Sequence, residues 1–472
     1  MSTSIKKINS SELIALAVHG DAFVYRSKRG IALIDGGGSS AKLGKKLAQE
    51  LPAVEHLDVV VCTHADQDHA NGLKSVIADW RTARRGQVSI GEFWLPGRWM
   101  DVVKRGVKDP KSLMSDLIHA LDEGKLDETR LLLWTDTDEG DDNGDIPRRL
   151  ARLFSTSGSS IEFDHVSRNA NEPIEVENQA LAEGDTQSSF SKPHPSEGEF
   201  NQDFQEPFEP DWLRAIRERK ASVIDERDAT HIFQSTRRRV VYRMGHHPHL
   251  RARNLPKTVG TSDATGRYCL ALIDAAEAIV SIAKQAIVEG VPIRWFDQEL
   301  YADTLRARGG QPNFLLPMNS VELRSTPTAV ALPVLYYLSL SKANRESLAF
   351  YAPAETGCHG VVFCADTRLG TGRGGKTPFQ VYPSMAKSDQ IGTAPHHGAE
   401  SAARAYSFAT RFGITHWVCA ANGRTKPGRS FQKIAKNQRC CTACPLKVGP
   451  FSTIKLSLSS NAFALPTTCS CP

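Results

Sequence analysis

The run Thr63-His64-Ala65-Asp66-Gln67-Asp68-His69-Ala70-Asn71-Gly72 limits what this chain can be more than any other stretch. It places two imidazoles and two carboxylates within six residues. It follows directly on Leu57-Asp58-Val59-Val60-Val61-Cys62, whose β-branched, apolar composition predicts a strand buried on both faces. A loop leaving a rigid strand can aim alternate side chains at one point. Neutral imidazole together with carboxylate suits a divalent ion such as zinc, manganese or iron. Without a cation the same groups would repel one another and stay partly unpaired. The run therefore reads as a metal site, against the plainer alternative of a polar turn in which Asp66 and Asp68 cap the next helix.

Three further segments have the character such a site needs. Gly30-Ile31-Ala32-Leu33-Ile34 predicts a second buried strand, ending in Asp35 and the turn Gly36-Gly37-Gly38, with a helix from Ala41 to Leu51 after it. Asp35 at that strand end can hydrogen-bond a ligand imidazole and fix its tautomer. The glycine turn matches neither a P-loop nor a dinucleotide fingerprint. Downstream, the apolar strand Val361-Val362-Phe363-Cys364-Ala365 delivers Asp366, and Ala394-Pro395-His396-His397-Gly398 delivers a histidine pair. Each is a weak signal alone, and their order after the first cluster raises them to candidate ligands.

This order of strand-Asp-Gly, His-x-Asp-x-Asp-His, strand-Asp and Pro-His-His-Gly resembles the metallo-β-lactamase superfamily. Within it the pattern is similar to the branch of ComEC/Rec2-like hydrolase domains and choline-phosphate esterases. Asn344-Arg345-Glu346-Ser347-Leu348 resembles that branch's Asn-x-x-Ser-Leu approach to a strand. The resemblance covers about residues 15 to 105 and 320 to 435. It implies an α/β fold, an αββα sandwich of two facing sheets with helices outside and the site at one sheet edge.

The resemblance also implies roles. His64 and Asp66 would hold one divalent ion, Asp68 and His69 a second, and Asp366 would bridge them. One of His396 and His397 would complete the ligand set, assigned here to His397. Asp68 and His396 are the candidate catalytic groups, and Asp35 supports the ligands from behind. Two departures stand out. Asp66 replaces the histidine of the superfamily's more familiar His-x-His-x-Asp-His run, which makes the site harder and more tolerant of manganese or magnesium alongside zinc. After the last core strand, where the branch often has His before Pro, the chain reads Lys426-Pro427, and Lys426 becomes a candidate substrate-phosphate contact.

At 472 residues the chain is too long for one ordinary core. The expected division is an N-terminal half at 1–105, an insertion at 106–320, a C-terminal half at 321–435 and a Cys-rich tail at 436–472. Within the insertion, Leu113 to Leu132 has helical spacing, 136–145 is an acidic loop, 168–210 has the composition of a disordered segment, and Asp263 to Gly290 predicts one long helix packing the insertion onto the core. Net charge is +5 and the pI is near 8.6, which permits anionic partners without demanding nucleic acid. The basic stretch with Arg237-Arg238-Arg239 suits phosphates and stacked bases, or alternatively forms a solvated strand paired with acidic loops. The His246-His247-Pro248-His249 cluster reads as a surface turn. In the tail, Cys441-x-x-Cys444 with Cys469-x-Cys471 is a candidate structural zinc knuckle, with unpaired thiols as the competing reading. No N-terminal apolar segment follows a basic start, and Ala329 to Leu340 is too short to span a bilayer, so a cytoplasmic protein without a membrane partner is expected.

The expected activity is that of a metal-dependent hydrolase using metal-activated hydroxide, with one or two divalent ions as cofactor. A phosphodiester substrate, nucleic acid or nucleotide, leads on the ComEC-like pattern, the arginines and Lys426. Hydrolysis of a lactam, lactone or thioester is the second reading. A metal-binding scaffold whose insertion engages a protein partner is the third.

Overall fold

The computed structural model describes residues 11–126, 206–219, 226–244, 263–326, 334–341, 347–367, 369, 379–409, 412–420, 427–444, 451–459, 465 and 469. Two sheets dominate it. The larger has eight strands in the order β14-β1-β2-β3-β4-β5-β6-β8, the smaller six in the order β13-β12-β11-β10-β9-β7. Strands β1 to β6 are Glu12–Ala15, Phe23–Ser27, Gly30–Ile34, His56–Val61, Ser89–Pro96 and Ile293–Asp297. Strands β7 to β14 are Leu316–Pro317, Val321–Glu322, Phe350–Ala352, Gly360–Phe363, Gln390–Thr393, Ile414–Cys419, Arg439–Cys441 and Ile454–Ser457.

The alternation of side chains along each strand builds three apolar layers. Ala32, Ile34, Val59, Val61 and Trp94 face the second sheet, meeting Phe350, Val361, Phe363 and Val418 from across the interface. Rings lock the two sheets together. Phe23 and Phe363 lie 6.4 Å apart between centroids, and Trp94 and Phe350 lie 5.6 Å apart. The opposite faces are equally apolar, as two-sided burial demands. Leu33, Val60 and Phe93 pack under helices of the first layer, and Tyr351, Val362 and Trp417 pack under those of the last. The arrangement is an αββα sandwich, consistent with the fold the motifs imply.

Local chemistry sets the helices. Ser40–Glu50 buries Leu43 and Leu47, one turn apart, against the first sheet. Pro110–Asp122 opens with Pro at its first position, and the Asp109 side chain accepts from Ser112 N at 2.9 Å. The expected long helix is Asp263–Val288, which presents Leu272, Ile273, Ala276, Ile279 and Ala283 to the core.

The structure redraws the expected boundaries. Residues 293–317, assigned to the insertion, contribute β6 and β7, with β6 pairing in parallel with β5 and, on its other side, antiparallel with β8 from the start of the C-terminal half. Arg294 of β6 is buried, hydrogen-bonds Glu322 of β8 at 2.8 Å and stacks over the Trp94 ring, which fixes the order of these strands. The Cys-rich tail also belongs to the sandwich, since β13 closes the smaller sheet on β12 and β14 closes the larger one on β1. Neither role is visible in composition, because a short edge strand needs only a partner's free backbone groups. The Arg237-Arg238-Arg239 stretch is helical, within Glu226–Arg243, not a strand. Among the described residues, no helix is long and apolar enough to cross a membrane.

Candidate metal centre

The candidate site lies where β3, β4 and β10 end and the turn after β11 begins. His64, Asp66, Asp68 and His69 leave β4 on a loop that closes into the short helix Gln67–Ala70. Asp66 occupies the N-cap position of that helix, yet its side chain makes no capping hydrogen bond, so the capping alternative does not account for it. Asp366 follows β10, and His396 and His397 follow β11 in a single turn at Pro395–Gly398.

These groups converge. His69 Nε2 lies 3.0 Å from Asp366 Oδ1 and 3.3 Å from His397 Nε2. His397 Nε2 lies 2.9 Å from Asp68 Oδ2. His64 Nε2 lies 3.8 Å from both Asp66 and Asp366, and His396 Nε2 lies 3.7 Å from Asp366. His64, His69, His397 and Asp366 are buried, while Asp66, Asp68 and His396 are partly open to solvent.

A relay of hydrogen bonds decides which nitrogen of each ring faces the site. Asp35 accepts from His69 Nδ1 at 2.7 Å, from Thr63 N at 2.8 Å and from the Thr63 hydroxyl at 2.7 Å. Having given its proton to Asp35, the Thr63 hydroxyl can only accept from His64 Nδ1, 3.0 Å away. Both rings therefore carry Nδ1–H, and their Nε2 atoms point into the site. His397 Nδ1 faces Asp21 Oδ1 at 2.8 Å in an ion-pair contact that lacks the alignment of a hydrogen bond. Asp21 and Thr63 escaped the sequence reading as functional groups. Thr63 was part of the run, and Asp21 follows Gly20 in a turn with no metal-ligand spacing.

Electrostatics agree with the geometry. Burial alone would lower His69, but Asp366 and Asp35 raise it well above the ordinary imidazole range. Burial likewise opposes protonation of His397, yet Asp21, Asp366 and Asp68 push it up to about 10. The two carboxylates move the other way. Burial would raise Asp68 and Asp366, and the neighbouring histidines outweigh it and lower both. Protons thus hold the place that a cation would take. A divalent ion fits the set on two counts. The buried Nε2 of His64 has no hydrogen-bond partner. The His69–Asp366, His69–His397 and His397–Asp68 spacings of 3.0, 3.3 and 2.9 Å are those of neighbouring ligands about 2.1 Å from an ion. Two groups could each hold a metal, Asp21/His69/His397 and His64/His69/Asp366.

The backbone is strained where it serves the site. Asp35, Ala365, His396 and His397 all have positive φ, at 58°, 47°, 48° and 53°. Such conformations cost on the order of 1–3 kcal/mol each outside glycine, and they concentrate where tertiary structure imposes a functional geometry. Glycines permit the close approaches. A Cβ on Gly20 would sit 2.0 Å from the Asp68 carbonyl oxygen, and one on Gly72 would sit 1.7 Å from that of Gly36. The glycine turn at 36–38 thus exists to receive the metal loop, not a phosphate. Gly36 N donates to the His69 carbonyl at 2.8 Å and Gly72 N to the Gly37 carbonyl at 2.7 Å.

Lys426, Cys471, Asn344 to Glu346, the histidine cluster at 246–249, and the acidic loop at 136–145 fall outside the described residues, as does 168–205 of the polar segment. Arg237 turns inward, bonding Asp274 at 2.7 Å and Glu277 at 2.6 Å on the Asp263–Val288 helix. Arg238 and Arg239 are exposed. Cys444 and Cys469 meet at 3.4 Å between sulfurs, and among the described residues no group of three cysteines is placed to hold a metal.

No curated protein matches the chain. The loop that carries His64 to His69, the strands on either side of it and the Asp35 turn all lie within residues 16–157, which match the family described as the metallo-beta-lactamase superfamily.

Proposed function

We propose that this protein is a metal-dependent phosphodiesterase or nuclease whose centre takes one or two divalent ions, zinc or manganese. Metal-dependent hydrolysis is the general chemistry of the superfamily matched at residues 16–157. The observation that carries the reading is the run of short contacts that links the Nε2 atoms of His64, His69 and His397 with the carboxylates of Asp68 and Asp366. His64, Asp66 and Asp366 would hold one ion, and Asp68, His69 and His397 the other, with Asp366 between them. When bound, such ions supply Lewis acidity toward a phosphoryl oxygen and lower the pKa of a coordinated water.

The chain's own residues do the rest. Asp35, directly and through Thr63, keeps His69 and His64 in the tautomer that offers Nε2, and the Asp21 carboxylate attracts positive charge to the far nitrogen of His397. Asp68 is partly open to solvent, and the oxygen that does not face His397 would accept the proton of the attacking water. His396 is the more exposed member of the pair, with Nε2 3.7 Å from Asp366 Oδ2, so it would protonate a leaving oxygen. The abundance of carboxylate, with Asp66 where a histidine is more familiar, favours hard ions and oxygen-rich phosphodiesters over a lactam, lactone or thioester. The protein partner and the cytoplasmic location expected from the sequence stand with this reading as proposals.

The test is metal analysis coupled to hydrolysis of a bis-aryl phosphodiester, with a lactam, a lactone and a thioester assayed in parallel. Metal-dependent turnover of the diester is expected, and Asp68→Ala should abolish it while leaving the circular dichroism spectrum unchanged. Turnover confined to the carbon-centred substrates would overturn the substrate assignment. Stoichiometric metal with no turnover of any would favour the scaffold.

A further inference from the structure

We propose that Cys444 and Cys469 form a thiol pair that closes reversibly to a disulfide, fastening the C-terminal segment to the end of β13. The sulfurs lie 3.4 Å apart, in a contact that joins positions separated by 25 residues. Both are thiols in the structure. A disulfide needs an S–S distance of about 2.05 Å, so closure requires the sulfurs to approach by a little over about 1 Å, within reach of a side-chain rotation.

The surroundings select this pair. Cys444 is half-buried and open to an attacking disulfide, whereas Cys469 is 1% exposed and sits in the apolar layer outside the smaller sheet. The Cys441 carbonyl accepts from Cys444 N at 3.0 Å, which holds the turn that presents the Cys444 sulfur. Cys440, the adjoining buried thiol, is engaged elsewhere, with its Sγ donating to the Trp417 carbonyl at 3.8 Å.

The reaction is thiol–disulfide exchange with a small disulfide of the glutathione class. The Cys444 thiolate attacks one of its sulfurs and expels one small thiol. The Cys469 thiolate then attacks the Cys444 sulfur of the mixed disulfide and expels the second. Two protein thiols are oxidised, one small disulfide is reduced to two thiols, and the protein's two thiol protons end on those products. The closed loop contains β14, the edge strand that pairs with β1 of the larger sheet. Closing it removes conformational freedom from the unfolded chain and so favours the folded one.

The experiment treats the full-length protein with glutathione disulfide and maps its peptides without reduction. A Cys444–Cys469 cross-link is expected, with the loss of two titratable thiols and a rise in Tm of roughly 3 to 6 °C that dithiothreitol reverses. Cys444→Ser should remove the cross-link and the Tm rise while keeping the Tm of the reduced protein. A cross-link to Cys440 or Cys441 would overturn the pairing. So would glutathione left on Cys444 without closure, or a stoichiometric zinc ion that leaves only when these thiols are modified. None of these readouts depends on hydrolysis.

Discussion

His397 shows how far single residues are committed to the site. It is buried, its Nδ1 faces Asp21, its Nε2 faces Asp68, and its backbone sits at a φ of 53°. In the metal-free protein its pKa is raised from 6.5 to about 10. The protonated ring therefore contributes stability that is fully present below pH 6.5 and is lost as the pH rises through about 10. Thermal melts of metal-free protein should show Tm falling across that window. A cation must displace the same proton, so metal affinity should rise over the window, and calorimetry in buffers of different ionisation enthalpy should show proton release near neutrality. Binding without proton release would mean that His397 is not a ligand. The two supporting carboxylates separate by their reach. Asp35→Asn disturbs both His64 and His69, so it should weaken metal at both positions, and Asp21→Asn only at the one held by His397. Losses of about 10- to 100-fold in affinity are expected, read by competition with a chromogenic chelator. Asn tolerates the positive φ of Asp35, so the change tests the charge and not the backbone.

At the scale of elements, the centre depends on loops pressed against each other as well as on strands. Gly72 belongs to the loop after β4 and Gly36 to the turn after β3, and they touch through backbone alone. Gly72→Ala would drive a methyl group into the Gly36 carbonyl, so the metal loop must shift. Destabilisation of roughly 2–4 kcal/mol in urea unfolding is expected, with metal lost at the same time. Gly86→Ala, whose added carbon would meet only the Arg84 side chain at 3.8 Å, should stay within about 0.5 kcal/mol. Equal effects from the two changes would show that the close approach is not what holds the loop. The Asp263–Val288 helix reaches the same loop from outside. Asp274 accepts from both Gln67, between two candidate ligands, and Arg237, while Glu277 accepts from Lys74 and Arg237. The region inserted between the two halves is thereby braced against the centre.

For the molecule as a whole, this bracing changes how the basic stretch is to be read. Arg237 is an internal fastener of the fold, and Arg238 and Arg239 are the exposed members left to meet a phosphate backbone. If they do, replacing both with alanine should weaken oligonucleotide binding across sequences and flatten the log–log salt slope by about 0.7 to 0.9 per lost contact. Hydrolysis of a small chromogenic diester should persist, because the centre is untouched. Arg237→Ala should instead lower Tm with little change in that slope. Binding that ignores salt and both exposed arginines would leave a small phosphodiester as the better substrate.

Strands β3, β4 and β10 around the site were legible in the chain because each is a run of apolar residues buried on both faces. The His64 to His69 run was legible because its spacing has no structural use without a cation. Asp366 and the His396/His397 pair were legible only through their order and a resemblance. Their approach to His69 joins positions some 300 residues apart, and no local pattern encodes that distance. Asp21 could not be found this way. A carboxylate after a glycine is an ordinary turn until folding sets it 2.8 Å from a buried imidazole. The edge strands β8, β13 and β14 were equally hidden, since pairing at a sheet edge asks for unsatisfied backbone groups and almost nothing of the side chains. Local composition specified which segments must be buried and which side chains can bind a metal. Long-range packing decided which nitrogen of each ring faces the centre and which carboxylates stand behind it, because both depend on contacts made only after the two sheets have met.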